Sequence, residues 1–165
     1  MTPPPGDLSP EQVWLELGKI PDPEIPVLSL VELGVIGAVN VDGQAVRVAL
    51  RPTFAGCPAL HTMRVEIGDR LRRLGAASVE IDLVLDPPWS TDDLTPEARV
   101  KLVAFGLAPP PTPIVRIEEI LATPRACPYC GSSETDVRND FGPTPCRTIH
   151  FCRSCRQPFE GMKPI

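Results

Sequence analysis

The chain has 165 residues, 42% of them hydrophobic, enough for one ordinary domain and a small appendage. No run approaches the roughly 18 apolar residues a membrane-spanning helix needs, so no partner or anchor in a membrane is expected. The net charge of −5 argues against general affinity for nucleic acid.

Residues 1–8 read as a disordered tail. Ser9-Pro10-Glu11-Gln12 is a helix start, with Ser9 as cap, Pro10 at the first helical position and Gln12 closing a capping box. Val13, Trp14, Leu17 and Ile20 form an apolar stripe, and Pro21 ends the helix. Asp22-Pro23-Glu24-Ile25-Pro26 is a proline-stiffened loop, because each residue before a proline is pushed toward extended geometry. Two strands, Val35–Val41 and Ala45–Arg51, flank the hairpin signal Asp42-Gly43. The loop Pro52-Thr53-Phe54-Ala55-Gly56-Cys57-Pro58 leads into a second helix. Its apolar face is Leu60, Met63, Ile67, Leu71 and Leu74, and Gly75 is the stop. Val79–Leu85 is a third strand, broken by Asp86-Pro87-Pro88-Trp89. Thr95-Pro96 opens a short helix that ends near Gly106. Residues 107–124, with Pro109–Pro113, read as a stiff linker. The expected architecture is α+β: a small domain over 9–106, the linker, and a metal-bound ribbon over 125–165.

The ribbon rests on Cys127-Pro-Tyr-Cys130 and Cys152-Arg-Ser-Cys155, two knuckles separated by 21 residues. Four thiols at that spacing suit a tetrahedral ion, and a segment with little core needs such a staple. No signal-peptide pattern leads the sequence, which predicts reduced thiols in the cytoplasm rather than a disulfide framework. Zinc is the expected ion, with an iron–sulfur cluster as the rival occupant. Cys146 is left over, either as a plain loop cysteine or as a nearby redox or cluster-donating thiol. His150 precedes Cys152 by two and is a spare ligand candidate. The ribbon holds six Lys/Arg against four Asp/Glu, a balance of only +2, so a nucleic-acid-binding role is disfavoured.

Cys57 is the sharpest chemical candidate in the first domain. It precedes a helix whose N–H groups and positive dipole end stabilise a thiolate. On position alone, a small buried residue plugging the helix end is an equal alternative. Asp22 and Glu24 could hold a cation or orient a thiol, but from spacing alone surface charge is the stronger reading. Thr53 has the plain reading of a loop hydrogen bond, and His61 that of a solvated helix residue. Trp89 reads as core packing or as a partner contact. No Glu-x-x-His pair and no nucleotide loop are present, which argues against a di-iron or nucleotide-dependent catalytic subunit.

Ile20-Pro21-Asp22-Pro23-Glu24-Ile25-Pro26-Val27-Leu28-Ser29-Leu30, with Leu33-Gly34-Val35-Ile36, resembles the signature of the SufT-like, MIP-type iron–sulfur assembly domain. Pro52–Pro58 resembles that family's second block. Asp86-Pro87-Pro88-Trp89-Ser90-Thr91, Leu94–Arg99 and the ribbon ending in Gln157-Pro158-Phe159 narrow the likeness to the accessory subunits of bacterial phenylacetyl-CoA oxygenase (epoxidase) systems. The resemblance covers about residues 10–106 and 125–165. It implies Asp22, Glu24, Thr53 and Cys57 as a site at the second helix's N-terminus. It further implies Cys127, Cys130, Cys152 and Cys155 as the metal set, with Cys146 close by. The implied role is maturation: iron or an iron–sulfur cluster, held transiently at Cys57, would pass to an oxygenase subunit, its iron–sulfur reductase included. A second copy of the chain, as a homodimer, is a further candidate partner, which the sequence leaves open. The rival roles are an iron–sulfur electron-transfer subunit and a nucleic-acid-binding ribbon.

Overall fold

The structure is a computed structural model that describes residues 6–111 and 124–163. The chain divides into two compact units, residues 1–89 and 90–165.

In the first unit, α1 spans Pro10–Leu17 and opens with the capping box expected of Ser9 and Gln12. It stops a turn before Pro21, with Gly18 as its cap, and Ile20 stays buried in the loop beyond. The hairpin forms from β1, Ile36–Asp42, and β2, Ala45–Leu50. Asp42 pairs with Ala45, so the turn residues are Gly43 and Gln44 rather than Asp42-Gly43. Gly43 has φ 58°, at the first central position, where such hairpins favour glycine. The expected tail is tied down at its end, because Leu8 N–H donates to the Gly43 carbonyl at 3.0 Å.

From β2 the chain crosses over through α2, Leu60–Leu74, to β3, Ser78–Leu83, which pairs with β2 in parallel. The sheet order is β1-β2-β3, so β3 is an edge among the described residues. Val46, Val48 and Leu50 of β2 are buried and lie opposite Val79, Ile81 and Leu83. These six residues share the face against which α2 sets Met63, Ile67 and Leu71. Glu80 and Asp82 point the other way and ion-pair with Arg47. This parallel crossover is not legible in the sequence, where alternation marks strands without their direction. Gly75 caps α2 at φ 119°, as its sequence position predicts.

Trp89 is 2% exposed and its indole N–H donates to the Leu33 carbonyl at 2.9 Å. The core-packing reading therefore replaces the partner-contact reading for this residue.

In the second unit, α3 spans Pro96–Phe105 between Thr95 and Gly106, as expected. The sequence places the linker from residue 107, but Leu107–Ala108 form β4, which pairs in parallel with β7, Pro158–Met162. Gly106, in the left-handed region at φ 88°, turns the helix end directly into that strand. The prolines that follow are also held. Arg99 donates to the Pro110 carbonyl, and buried Arg125 donates to the carbonyls of Pro109 and Met162. The rest of the linker, 112–123, lies outside the described residues. The ribbon is completed by β5, Thr135–Asn139, and β6, Arg147–Cys152, in the order β4-β7-β6-β5.

Trp89→Phe removes the indole donor to Leu33 and leaves a smaller ring in a filled site. Urea unfolding of the full chain should show a loss of about 2 kcal/mol. An unchanged midpoint would mean that the contact is dispensable.

Candidate metal centre and thiol site

The two knuckles are built alike. Cys127 N–H donates to the Ser132 carbonyl and Cys152 N–H to the Gln157 carbonyl, both at 2.9 Å and both spanning five residues. The Ser132 N–H points at Cys130 Sγ and the Gln157 N–H at Cys155 Sγ. Each second cysteine is followed by a residue in the left-handed region, Gly131 at φ 74° and Arg156 at φ 57°. The sequence marks the first position by its glycine. The second is hidden behind an arginine, which tolerates that conformation only at a cost.

These knuckles bring the Sγ atoms of Cys127, Cys130, Cys152 and Cys155 within 4.8 Å of one another. Cys127 and Cys155 are 3.7 Å apart, and Cys130 and Cys152 are 3.6 Å apart. A tetrahedron with Zn–S bonds of about 2.3 Å has edges of about 3.8 Å, so the donor set fits one zinc-sized ion. A polynuclear cluster places several metal atoms between its thiolates and would spread them further. None of the six cysteines is in a disulfide.

The charge state of the thiols points to a cation as well. Backbone N–H donation, first from Cys155 and then from Ser154, with neighbouring thiols assisting, brings the Cys152 thiol down to about 7. Burial, reinforced by the three neighbouring sulfurs, pushes Cys155 up to about 12. A cation among the sulfurs would favour the thiolate form that burial opposes at Cys155.

Cys146 does not join this group. It immediately precedes β6, and Cys152 ends it, a separation of about 20 Å along an extended strand. Its Sγ lies 3.2 Å from Thr144 Oγ1, and its carbonyl accepts from Lys163 N–H. His150 is not a ligand either. Its Nε2 meets Thr148 Oγ1 at 2.7 Å, and its ring stacks on Phe159 at 5.2 Å. Thr148 donates to the Gly161 carbonyl, so Nε2 carries the proton. Burial, with Arg125 nearby, holds His150 down to about 4 and therefore neutral.

In the first unit, Thr53 and Cys57 share the loop between β2 and α2. That loop stands at the carboxyl end of the parallel pair β2/β3, the end where open α/β sheets expose functional loops. A turn closes from Phe54 O to Cys57 N–H at 3.0 Å, and Cys57 O accepts from Leu60 N–H at 3.2 Å. Gly56 allows this turn, because a side chain there would meet the Phe54 ring at 3.2 Å. α2 has no side-chain cap and no acidic residue in its first turn, so nothing there opposes negative charge on Cys57. Cys57 is half-buried and lines one end of a groove of about 620 Å³ with His61, Arg64 and Arg72.

Asp22 is 3% exposed, which replaces the surface-charge reading. One carboxylate oxygen accepts from Glu24 N–H at 2.9 Å and Ile25 N–H at 2.7 Å. Together with Asp22 N–H to Leu28 O at 2.8 Å, these bonds close the proline loop on itself. Asp22 is thus the keystone of that loop. Among the described residues, the cysteine quartet is the one assembled group of three or more Cys, His, Asp or Glu donors, so Asp22, Glu24 and Cys57 do not form a preassembled ion site.

Two family models match the chain. The "Iron-sulfur cluster assembly protein" model covers residues 10–83, and the "PaaD zinc beta ribbon domain" model covers 116–163. A protein of Escherichia coli named as a putative 1,2-phenylacetyl-CoA epoxidase component is 37% identical over 154 residues, 93% of this chain and 92% of that one. An Fe-S protein maturation auxiliary factor of Porphyromonas gingivalis is 32% identical over 56% of this chain and 89% of its own length. Among solved structures, a conserved hypothetical protein of Thermotoga maritima superposes with a TM-score of 0.51 at 28% identity, covering 58% of this chain and 95% of that one. A domain of unknown function from Bacillus anthracis matches at 0.52 and 23% identity, over 56% and 89% respectively, a likeness of fold.

Two outcomes follow from the quartet. Because metal must displace protons held by thiols such as Cys155, apparent zinc affinity should rise steeply with pH between about 6 and 8. Competition titration with a chromophoric chelator measures the slope, and a flat profile would contradict four-thiolate binding. Arg156→Gly should leave the ribbon equally stable or raise its stability by up to about 1 kcal/mol, whereas Gly131→Val should destabilise it. Thermal melts of the zinc-loaded chain compare the two.

Proposed function

The chain belongs to the PaaD family of 1,2-phenylacetyl-CoA epoxidase components, and from that membership we propose that it is an accessory protein that helps mature the metal centres of its oxygenase complex. An accessory role in iron–sulfur protein assembly is the coarse form of this reading, supported by the assembly-domain match and by relatives named as maturation factors. The finer form assigns iron or an iron–sulfur cluster as cargo and another member of the complex, such as its iron–sulfur reductase, as recipient.

The observation that carries the reading is the placement of Cys57. Its thiol stands half-buried on a tight turn at the carboxyl end of two parallel strands, before an uncapped helix. A thiolate there is favoured by the helix N–H groups and reachable by a partner. Asp22 and Glu24 would act on it indirectly, by fixing the proline loop, and Thr53 by shaping the Cys57 loop. The quartet would have a different task. Its ion supplies structure by joining the two knuckles, and Cys127 and Cys152 then complete the ribbon's small core with Ala108 and Phe159. The ribbon would present a surface to the complex. Its cations are largely engaged, with Arg147 on Glu160, Arg153 on Asp136 and Arg138 over the Phe151 ring, which gives a nucleic-acid role no support.

Cys57→Ser should leave the fold and the ribbon's zinc stoichiometry intact while the co-expressed oxygenase components lose most of their iron. Metal analysis of the purified complex reads the result. Full metallation with the serine variant would overturn the role of Cys57.

A further inference from the structure

The groove that begins at Cys57 continues along the exposed side of α2, against β3. His61, Arg64, Val65, Gly68 and Arg72 line its helix wall, and Val79 and Ile81 its strand wall. The spacing of these helix residues repeats by 3 and 4, so they form one stripe. Gly68 makes a dent in the stripe, over which the Arg72 guanidinium lies, 3.1 Å from where a Cβ would stand. Asp69 is the only anion in the lining, and it is already engaged by Arg72 at 3.1 Å. Arg64 is exposed and makes no hydrogen bond or ion pair among the described residues. Glu80 and Asp82 of β3 face away from the groove, toward Arg47. A chain with net charge −5 therefore presents a cationic groove beside its candidate thiol. Within the lining, two arginines stand against one aspartate, and Arg64 is the cation left without a carboxylate among the described residues.

The strand wall is also chemically incomplete. Among the described residues β3 pairs only with β2, so its other edge has no strand partner there. From His61 to Arg72 the helix rises about 16 Å, the length of about five extended residues.

We propose that this groove docks an acidic, extended segment of a client polypeptide, whose carboxylates meet Arg64 and Arg72 while its backbone runs beside β3. The inference rests on the maturation reading, since it supplies the contact that brings a recipient to Cys57. Arginine suits the task because its planar fork binds carboxylates through two hydrogen bonds. The half-buried Val79 and Ile81, with exposed Val65, give apolar contacts between the charged ones.

The test uses the full zinc-loaded chain and fluorescein-labelled ten-residue peptides of alternating Glu-Val, Gln-Val or Lys-Val. Fluorescence anisotropy should show the Glu-Val peptide binding most tightly, with affinity falling as salt rises. Arg64→Glu with Arg72→Glu should weaken it by about tenfold or more at an unchanged melting temperature, and Arg64→Lys with Arg72→Lys should keep part of it. Peptide binding needs no cargo, so a failure of cargo transfer at Cys57 would be distinguishable from a failure of docking. Equal binding of the three peptides, or no effect of charge reversal, would overturn the proposal. So would displacement of the acidic peptide by millimolar phosphate alone, or tighter binding of a single-stranded oligonucleotide, since either would assign the cations to another ligand.

Discussion

Four thiols within 4.8 Å of one another are a load that the ribbon cannot carry as bare thiolates. Backbone N–H donation brings the Cys152 thiol down to about 7, while burial and its neighbours push Cys155 up to about 12, so a cation among the sulfurs favours the charged form of Cys155. That electrostatic constraint decides how the ribbon is stabilised. Its buried cluster is Ala108, Cys127, Cys152 and Phe159, two of them ligands, so the metal site and the core overlap. Strand pairing then follows from the knuckles, because β6 ends at Cys152 and β7 begins three residues after Cys155.

The first unit is stabilised differently. Its core is mainly apolar, from Val13 and Leu17 of α1 to Val48 and Leu50 of β2 and Ile67 and Leu71 of α2, with Asp22 buried in its own loop. The parallel crossover β2-α2-β3 fixes where the Cys57 loop stands, because it brings that loop to the carboxyl end of two strands. The sharp turn at Phe54–Cys57 and the self-closed Asp22 loop are then local solutions, each built from backbone N–H groups that would otherwise lack partners.

Much of this is legible in the sequence. Ser9 with Gln12, Thr95 with Pro96, and Gly75 and Gly106 locate helix ends because capping is local chemistry. The quartet is legible because metal spacing is equally local. The direction of β3 is not, since a strand's alternation is the same in parallel and antiparallel sheets. β4 is hidden because two residues between a glycine and a run of prolines carry no period, and only pairing with β7 makes them a strand. Asp22 looks like surface charge because its partners are the N–H groups of its own loop, which side-chain patterning does not reveal. Cys146 looks like a neighbour of the quartet because it lies six residues from Cys152, and six residues are short in sequence but about 20 Å in an extended strand.

The separation of the two cysteine sites has a mechanistic consequence. A thiol that passes cargo must release it, so it should hold few strong donors around it, whereas a structural ion should be enclosed. Cys57 meets the first condition: no second and third Cys, His, Asp or Glu donor gathers around it among the described residues. The quartet comes nearer the second: Cys127 and Cys152 are buried to 2% exposure or less and N–H groups are directed at the sulfurs, although Cys155 is half-buried and Cys130 exposed. Retention and transfer would thus demand opposite surroundings, and the two cysteine sites differ in that way: four sulfurs gathered in the ribbon, and a single half-buried thiol before α2.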